Sequence, residues 1–390
     1  MGARDLRRRR GLAAGPLVLA TLWLAACDQA PAPGAFEHPG GLHDAGQLAA
    51  ISTCLEAPSD ALRGSHEALL ARARQALSKA PSPIAEFNAP TTDDAERDRL
   101  SKRQLSGDAN AAFDAALASA LDVGLAPGER LALEAKAIEL IDAWASTHRV
   151  SSGSESHREK GHLVMAYVGS AFLAAADLIW SRPSWSDAQR ERLRRWIEQT
   201  LRPDALRLAK RSNNKAAWGI FSALAGSHLL DDRAAMLDHA ERLREMIDDQ
   251  IAPDGTLPHE LAREDKALWY TYFALAPLTH AAEVVRNDLA IDLFDRNERL
   301  RLALDQFLRG LTDATGSPFE RATKRPPARN DWGANLLFAA GHLYDEPRYL
   351  EWPQRPLDRR NAAWKQVDLI PPRALRPDAA VATCQRVPVG

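Results

Sequence analysis

A chain of 390 residues, 45% hydrophobic and 26% charged, has the composition of an ordinary globular protein with length enough to bury a large core, which excludes wholesale disorder. Its 50 basic and 52 acidic residues leave a net charge of −2, so no global basic field speaks for nucleic acid. A polyanionic partner would need a local cationic patch, which favours a cleft over a charged face.

The first residues read as an export signal rather than as part of the fold. Arg4, Arg7, Arg8, Arg9 and Arg10 form a basic region, residues 11–24 an apolar one too short to span a membrane as a mature helix, and Leu24-Ala25-Ala26-Cys27 follows. That ending resembles a bacterial lipobox, in which cleavage before Cys27 leaves this cysteine as the lipid-bearing N-terminus; plain secretion is the alternative. The expected organisation is a lipoprotein-type signal peptide over 1–26, a linker over 27–36 and one folded domain over 37–390. The expected location is the periplasm, with the lipid anchor as the sole membrane contact. In an oxidising compartment a disulfide between Cys54 and Cys384 is plausible, two free thiols being the alternative.

Beyond the linker, apolar residues recur at helical spacing over 59–80, 107–121, 127–147, 160–181, 186–201, 215–230, 233–251, 265–287 and 297–311. Alternating strand patterns are scarce. Ser186 is placed to cap a helix after Pro183, and Pro253-Asp254-Gly255 to end one in a turn. Helices joined by short turns pack as antiparallel pairs, and about ten of them predict an all-α, single-domain fold, an incomplete (α/α) toroid with a groove across one end. Residues 80–95, with Pro81, Pro83 and Pro90, read as a loop or lid; 321–329 read as a basic loop in which Arg321 and Arg325 add charge to the groove.

Two segments carry the chemistry. Lys210-Arg211-Ser212-Asn213-Asn214-Lys215-Ala216-Ala217-Trp218 brings cations, amides and an aromatic ring together. Either asparagine is also a natural helix N-cap. As a sugar-acid subsite, Asn213, Lys210 and Arg211 would bind substrate and Trp218 would offer its face to a pyranose. In the second segment Arg263 and Tyr270 stand seven apart, two helical turns, and share one face if the helix is continuous. The alternative there is a core Tyr270 with Arg263 paired to Glu260. His228, His239, His259 and His280 show no ligand spacing supported by carboxylates and read mostly as surface or helix-packing residues, so no metal and no cofactor is expected.

With these residues in view, the chain resembles the alginate lyases of polysaccharide lyase family 5. That family carries Asn-Asn-His-x-x-Trp, matched here by Asn213-Asn214-Lys215-Ala216-Ala217-Trp218. It also carries Asp-Gly-(Ser/Thr)-Leu-Pro-x-Glu-Leu-x-Arg with a tyrosine seven residues on, matched from Asp254 through Arg263 to Tyr270 and the following Ala274-Leu275-Ala276-Pro277-Leu278. Weaker echoes are His38-Pro39-Gly40 and Asp142-Ala143-Trp144-Ala145. Lys215 stands where the family has histidine, and Thr271 where a histidine commonly follows the tyrosine. The resemblance implies an α/α toroid that cleaves polymannuronate by metal-independent β-elimination. Asn214 would hold the C5 carboxylate, Arg263 would stabilise charge beside the phenol, and Tyr270 would act as base and acid.

The same roles follow from the chemistry. A proton at C5 of a uronate is barely acidic until its carboxylate is neutralised, which Asn214 and a positive Lys215 would do. Mannuronate and glucuronate lose the C5 proton and the C4 oxygen from one face, so one tyrosine serves both; guluronate needs a base on the other face, where lysine is poor. The expected partner is therefore an acidic polysaccharide met by a monomer. Other readings are a glycoside hydrolase using two of Asp254, Glu260, Glu264 and Asp265, and a non-catalytic polysaccharide-binding lipoprotein.

Overall fold

The computed structural model describes residues 35–351, except 57, 59, 87–94, 150–153, 295–297, 323–335, 338–339, 342–343 and 345. Cys27, Cys384, Lys324, Arg325, Arg329 and the tip of the proposed lid therefore lie outside the described residues. Cys54 is buried and disulfide-bonded.

Every regular element among the described residues is helical. In chain order the principal ones are α1 (Ala45–Glu56), α2 (Asp60–Leu77), α3 (Ala95–Leu121), α4 (Glu129–Thr147), α5 (Glu155–Val164), α6 (Ser170–Ile179), α7 (Asp187–Trp196), α8 (Arg202–Leu208), α9 (Asn214–Leu229), α10 (Arg233–Gln250), α11 (Pro258–Leu261), α12 (Ala267–Leu289) and α13 (Arg299–Thr312). Each packs chiefly on near neighbours in sequence: α3 on α2, α4 and α6, α9 on α8, α10 and α12, and α12 on α13. This succession of paired helices is the α/α toroid expected from the apolar periodicity. Helix α3 begins twelve residues before the expected start at 107, because its first turns are polar and carry no apolar stripe.

Local chemistry explains several ends. Ser186 and Gln189 form a reciprocal capping box at the start of α7. Asp254 accepts from the backbone and hydroxyl of Thr256, closing the turn in which Gly255 has φ 81°. A Cβ there would meet the Leu302 carbonyl at 2.5 Å. Two helices contain π turns: Met165–Gly169 joins α5 to α6, and Ile197–Leu201 joins α7 to α8. The run Arg158–Ile179 is long and apolar enough to cross a membrane, yet 89% of its apolar window is buried among the other helices.

The close approach of α8 to α9 depends on Gly219, where a Cβ would stand 2.5 Å from the Ala205 carbonyl oxygen and 2.7 Å from the Ala209 nitrogen. Gly219→Ala is expected to cost about 1–3 kcal/mol by overpacking, read as a lower denaturant midpoint at unchanged m.

The start of the described chain is clasped to the body by a buried network. Asp177 on α6 accepts from His38 Nδ1 and His228 Nε2, both at 2.8 Å, and from the backbone of Gly40 and Gly41 at 3.3 and 3.0 Å. His228 Nδ1 lies 2.9 Å from Asp288, and His38 Nε2 lies 3.6 Å from Asp231. Phe36 stacks on the His228 ring. Burial opposes the charge on His228, but Asp177 and Asp288 raise it to about 10; Asp177 in turn is held far below the usual carboxylate range against its own burial. His228 shows no metal-ligand spacing in the sequence, yet its ring is 1% exposed and lies between two carboxylates.

Candidate active site

The two sequence segments meet where the N-termini of α9 and α12 come side by side. Trp218, one turn into α9, lies 5.3 Å from the ring of Phe273, which is three residues beyond Tyr270 on α12. Asn213 caps α9 by accepting from the Lys215 backbone at 3.1 Å. Asn214 and Lys215 are thus fixed in its first turn, where the helix dipole favours an anion.

Arg263 and Tyr270 are brought together by a route other than the expected one. The helix is not continuous between them: α11 ends at Leu261, Glu264 turns with φ 50°, Glu264–Lys266 is 3-10 and α12 starts at Ala267. The guanidinium nevertheless stands 5.0 Å from the centre of the Tyr270 ring. Arg263 is exposed and Tyr270 half-buried, so the phenol has an apolar seat, a cation on its face and access to solvent.

Asn214 holds a carboxylate, but an internal one. Its side-chain Nδ2 donates to both oxygens of Glu260 at 3.0 Å, and its backbone nitrogen donates to the same group at 2.7 Å. Both residues are buried, with Glu260 1% exposed. Burial pushes the Glu260 carboxyl above its ordinary range, while the Asn214 hydrogen bonds work against that rise. The expected direct grip of Asn214 on a substrate carboxylate is corrected accordingly: its amide donors face Glu260, and its part is to tie α9 to the loop that carries Arg263. Glu260 does not pair with Arg263 as the alternative reading had it. Nor is it exposed as one of two carboxylates flanking a scissile bond, and Asp254 is committed to its turn, so neither of these two acids is placed as half of a glycosidase pair.

Trp218 is a second correction. It is 3% exposed and packs against Tyr167, Phe221 and Phe273, so it supports the site from beneath instead of offering its face to a sugar. Thr271, where the resemblance has histidine, is also buried.

Lys215 makes an ion pair with Glu159 of α5, and Arg211 reaches the other oxygen of that carboxylate at 2.5 Å. Sequence reasoning passed over Glu159, whose polar neighbourhood 56 residues from Lys215 gives no local signal. Burial works against its charge, but Lys215 and Arg211 hold it below the usual carboxylate range. Beside it lies a groove of about 530 Å³ whose lining also includes Arg158, His162, Arg207, Lys210 and Arg211, with Leu208 and a second acid, Glu155. Lys210 and Arg211 thus share one cationic wall, while Arg321 is exposed at a distance in sequence from both.

With a phenol and a guanidinium near the start of α12 and an ammonium at the start of the adjacent α9, the chain is a helical toroid with charged groups at one end of this helix pair. It belongs to the alginate lyase family, whose model matches residues 59–318. A polysaccharide lyase of Stenotrophomonas maltophilia is 37% identical over 101 residues, which is 25% of this chain and 30% of that protein. An alginate lyase of Pseudomonas aeruginosa is 26% identical over 233 residues, 55% of this chain and 61% of that protein. The chain therefore matches between 30% and 61% of the length of these two curated relatives. Among solved structures, an alginate lyase from Bacteroides ovatus superposes with a TM-score of 0.66 at 17% identity, covering 86% of this chain and 99% of that one. Alginate lyase A1-III from Sphingomonas species A1 gives 0.63 at 16%, covering 85% and 97%. At these identities the likeness is one of fold.

Proposed function

We propose that the protein is a polyuronate lyase of the polysaccharide lyase family 5 type, cutting a mannuronate- or glucuronate-containing polymer by β-elimination with charges the chain itself supplies. The observation that carries this reading is the Arg263 guanidinium on the face of the half-exposed Tyr270 ring. Membership of the alginate lyase family supports it, and a variant of alginate lyase A1-III, a structural neighbour, is known in complex with a tetrasaccharide.

The substrate carboxylate is gripped by cations near the start of α9, Lys215 first, so that the electron pair left when the C5 proton departs can delocalise onto it. Tyr270, as its phenolate and with the Arg263 guanidinium on its ring face, takes the C5 proton. The C4–O bond breaks as the C4–C5 double bond forms, and the phenol returns its proton to the departing C4 oxygen. Lys215 in place of the family's histidine supplies charge but no second base, so guluronate is disfavoured.

Export with a lipid anchor at Cys27 belongs to the same proposal: a periplasmic enzyme acting on an extracellular or exported polyanion. The deciding assay offers polymannuronate, polyglucuronate, hyaluronate and polyguluronate to the purified protein and follows the ultraviolet absorbance of unsaturated ends. Mannuronate or glucuronate is expected to be cut at least about tenfold faster than guluronate. Equal rates on polyguluronate would sink the stereochemical argument, and reducing ends without absorbance would indicate hydrolysis.

A further inference from the structure

Asn214, Lys215 and Arg211, three groups expected to hold a uronate carboxylate, already hold a glutamate. Asn214 is joined to Glu260, and Lys215 with Arg211 to Glu159. The two acids are not equivalent. Glu260 is 1% exposed and bound by three hydrogen bonds from Asn214, an enclosed partner whose removal would leave buried donors unsatisfied. The Glu159 side chain is 19% exposed and its two cations 35% and 48%, so this pair faces water at the edge of the 530 Å³ groove. Water competes for ion pairs of that exposure, so they are weakly held and readily exchanged.

We propose that Lys215 and Arg211 form a carboxylate-binding subsite in which Glu159 is the resident anion, and that a uronate enters by displacing this side chain. The inference rests on the polyuronate-lyase reading and adds to it the residue that sets selectivity. The carboxylate of Glu159, with one oxygen on Lys215 and the other on Arg211, marks the place and orientation an incoming uronate carboxylate takes. The displaced side chain has somewhere to go: Arg158 and Lys210 line the same groove and form no ion pair among the described residues. A neutral sugar has no charge with which to compete for Lys215 and Arg211. Glu159 therefore rejects neutral polysaccharides and also lowers the apparent affinity for acidic ones.

The test is Glu159→Gln in the full chain. KM for polymannuronate is expected to fall about threefold or more, with kcat changed less than KM, and log KM should rise more steeply with log salt because two cations are freed. In a Lys215→Ala/Arg211→Ala background the substitution should change neither quantity. An unchanged or higher KM with an unaltered melting temperature overturns the proposal. If Glu159→Gln does not fold, Glu159→Asp keeps the charge with a shorter reach, and its KM should move in the same direction. Calorimetry with an oligomannuronate on the Tyr270→Phe protein, with and without Glu159→Gln, separates the two levels. Equal Kd values overturn the role of Glu159 alone, and no binding by either overturns the lyase reading with it.

Discussion

Replacing Tyr270 with phenylalanine is expected to lower kcat on polymannuronate by about 10²–10⁴-fold, the range for loss of a positioned acid–base group. The fold should be indifferent to the change. The hydroxyl makes no hydrogen bond to a described residue, the ring keeps its seat against the core, and the Arg263 guanidinium keeps its 5.0 Å approach to the ring. The melting temperature should therefore stay within a degree or two and oligosaccharide binding should persist. This pattern of lost kcat with retained Kd is what separates a base from a binding residue. A Tyr270→Phe protein of full activity would mean that the proton is taken elsewhere, and it would remove the central element of the proposed mechanism.

The largest effect on stability is expected at Asp177, far from that chemistry. Asp177→Asn keeps the shape of the side chain but removes the charge that two histidines and two backbone amides converge on. It leaves His228, 1% exposed, with Asp288 as its remaining acidic partner among the described residues. Breaking such a buried pair costs about 3–5 kcal/mol, which in a chain of this size corresponds to a fall in melting temperature of roughly 4–7 °C. A pH profile checks the same cluster. His228 is raised to about 10 in the folded protein, so its stabilisation is complete below the unfolded value of 6.5 and is lost as pH climbs toward 10. Asp177 is depressed, so its contribution is present above 3.8 and is lost on acidification. The melting temperature of the parent should decline between pH 7 and 10, and His228→Gln, already deprived of the charge, should show a flatter alkaline limb. Parallel profiles would mean that the histidine is neutral in the fold.

Most of the helical frame was legible in the sequence because it is written in apolar spacing and in caps such as Ser186 and Asn213, which depend on a few adjacent residues. The pairing of Arg263 with Tyr270 was legible as an outcome but not as a geometry. The intervening 3-10 turn breaks the two-turn register, and the contact survives through the loop closure that Glu260 and Asn214 provide. Trp218 illustrates a signal that was present and outweighed. It sits in Ala216-Ala217-Trp218-Gly219-Ile220-Phe221, apolar on every side, and a helix apolar all round is a buried one. Glu159 and Glu260 could not be read at all as partners of Lys215 and Asn214. Their pairings span 56 and 46 residues, and only the packing of helices decides which charged side chains face one another. The His38-Pro39-Gly40 segment was visible as a pattern, but its meaning depended on Asp177, 139 residues beyond His38.

The π turn at Met165–Gly169 has an implication for how this chain can change over evolutionary time. A π turn is one residue more than an α-helix needs, and each extra residue rotates everything beyond it by about 100° around the axis. Glu159 and His162, before the turn, face the cationic groove, while Asp177, after it, faces the clasp. A single deletion within this segment would regularise the helix locally, yet it would swing one of those two faces away from its partners. The surplus residue thus fixes the phase between two halves of one rod, and in this stretch relatives can exchange side chains more freely than they can gain or lose a position.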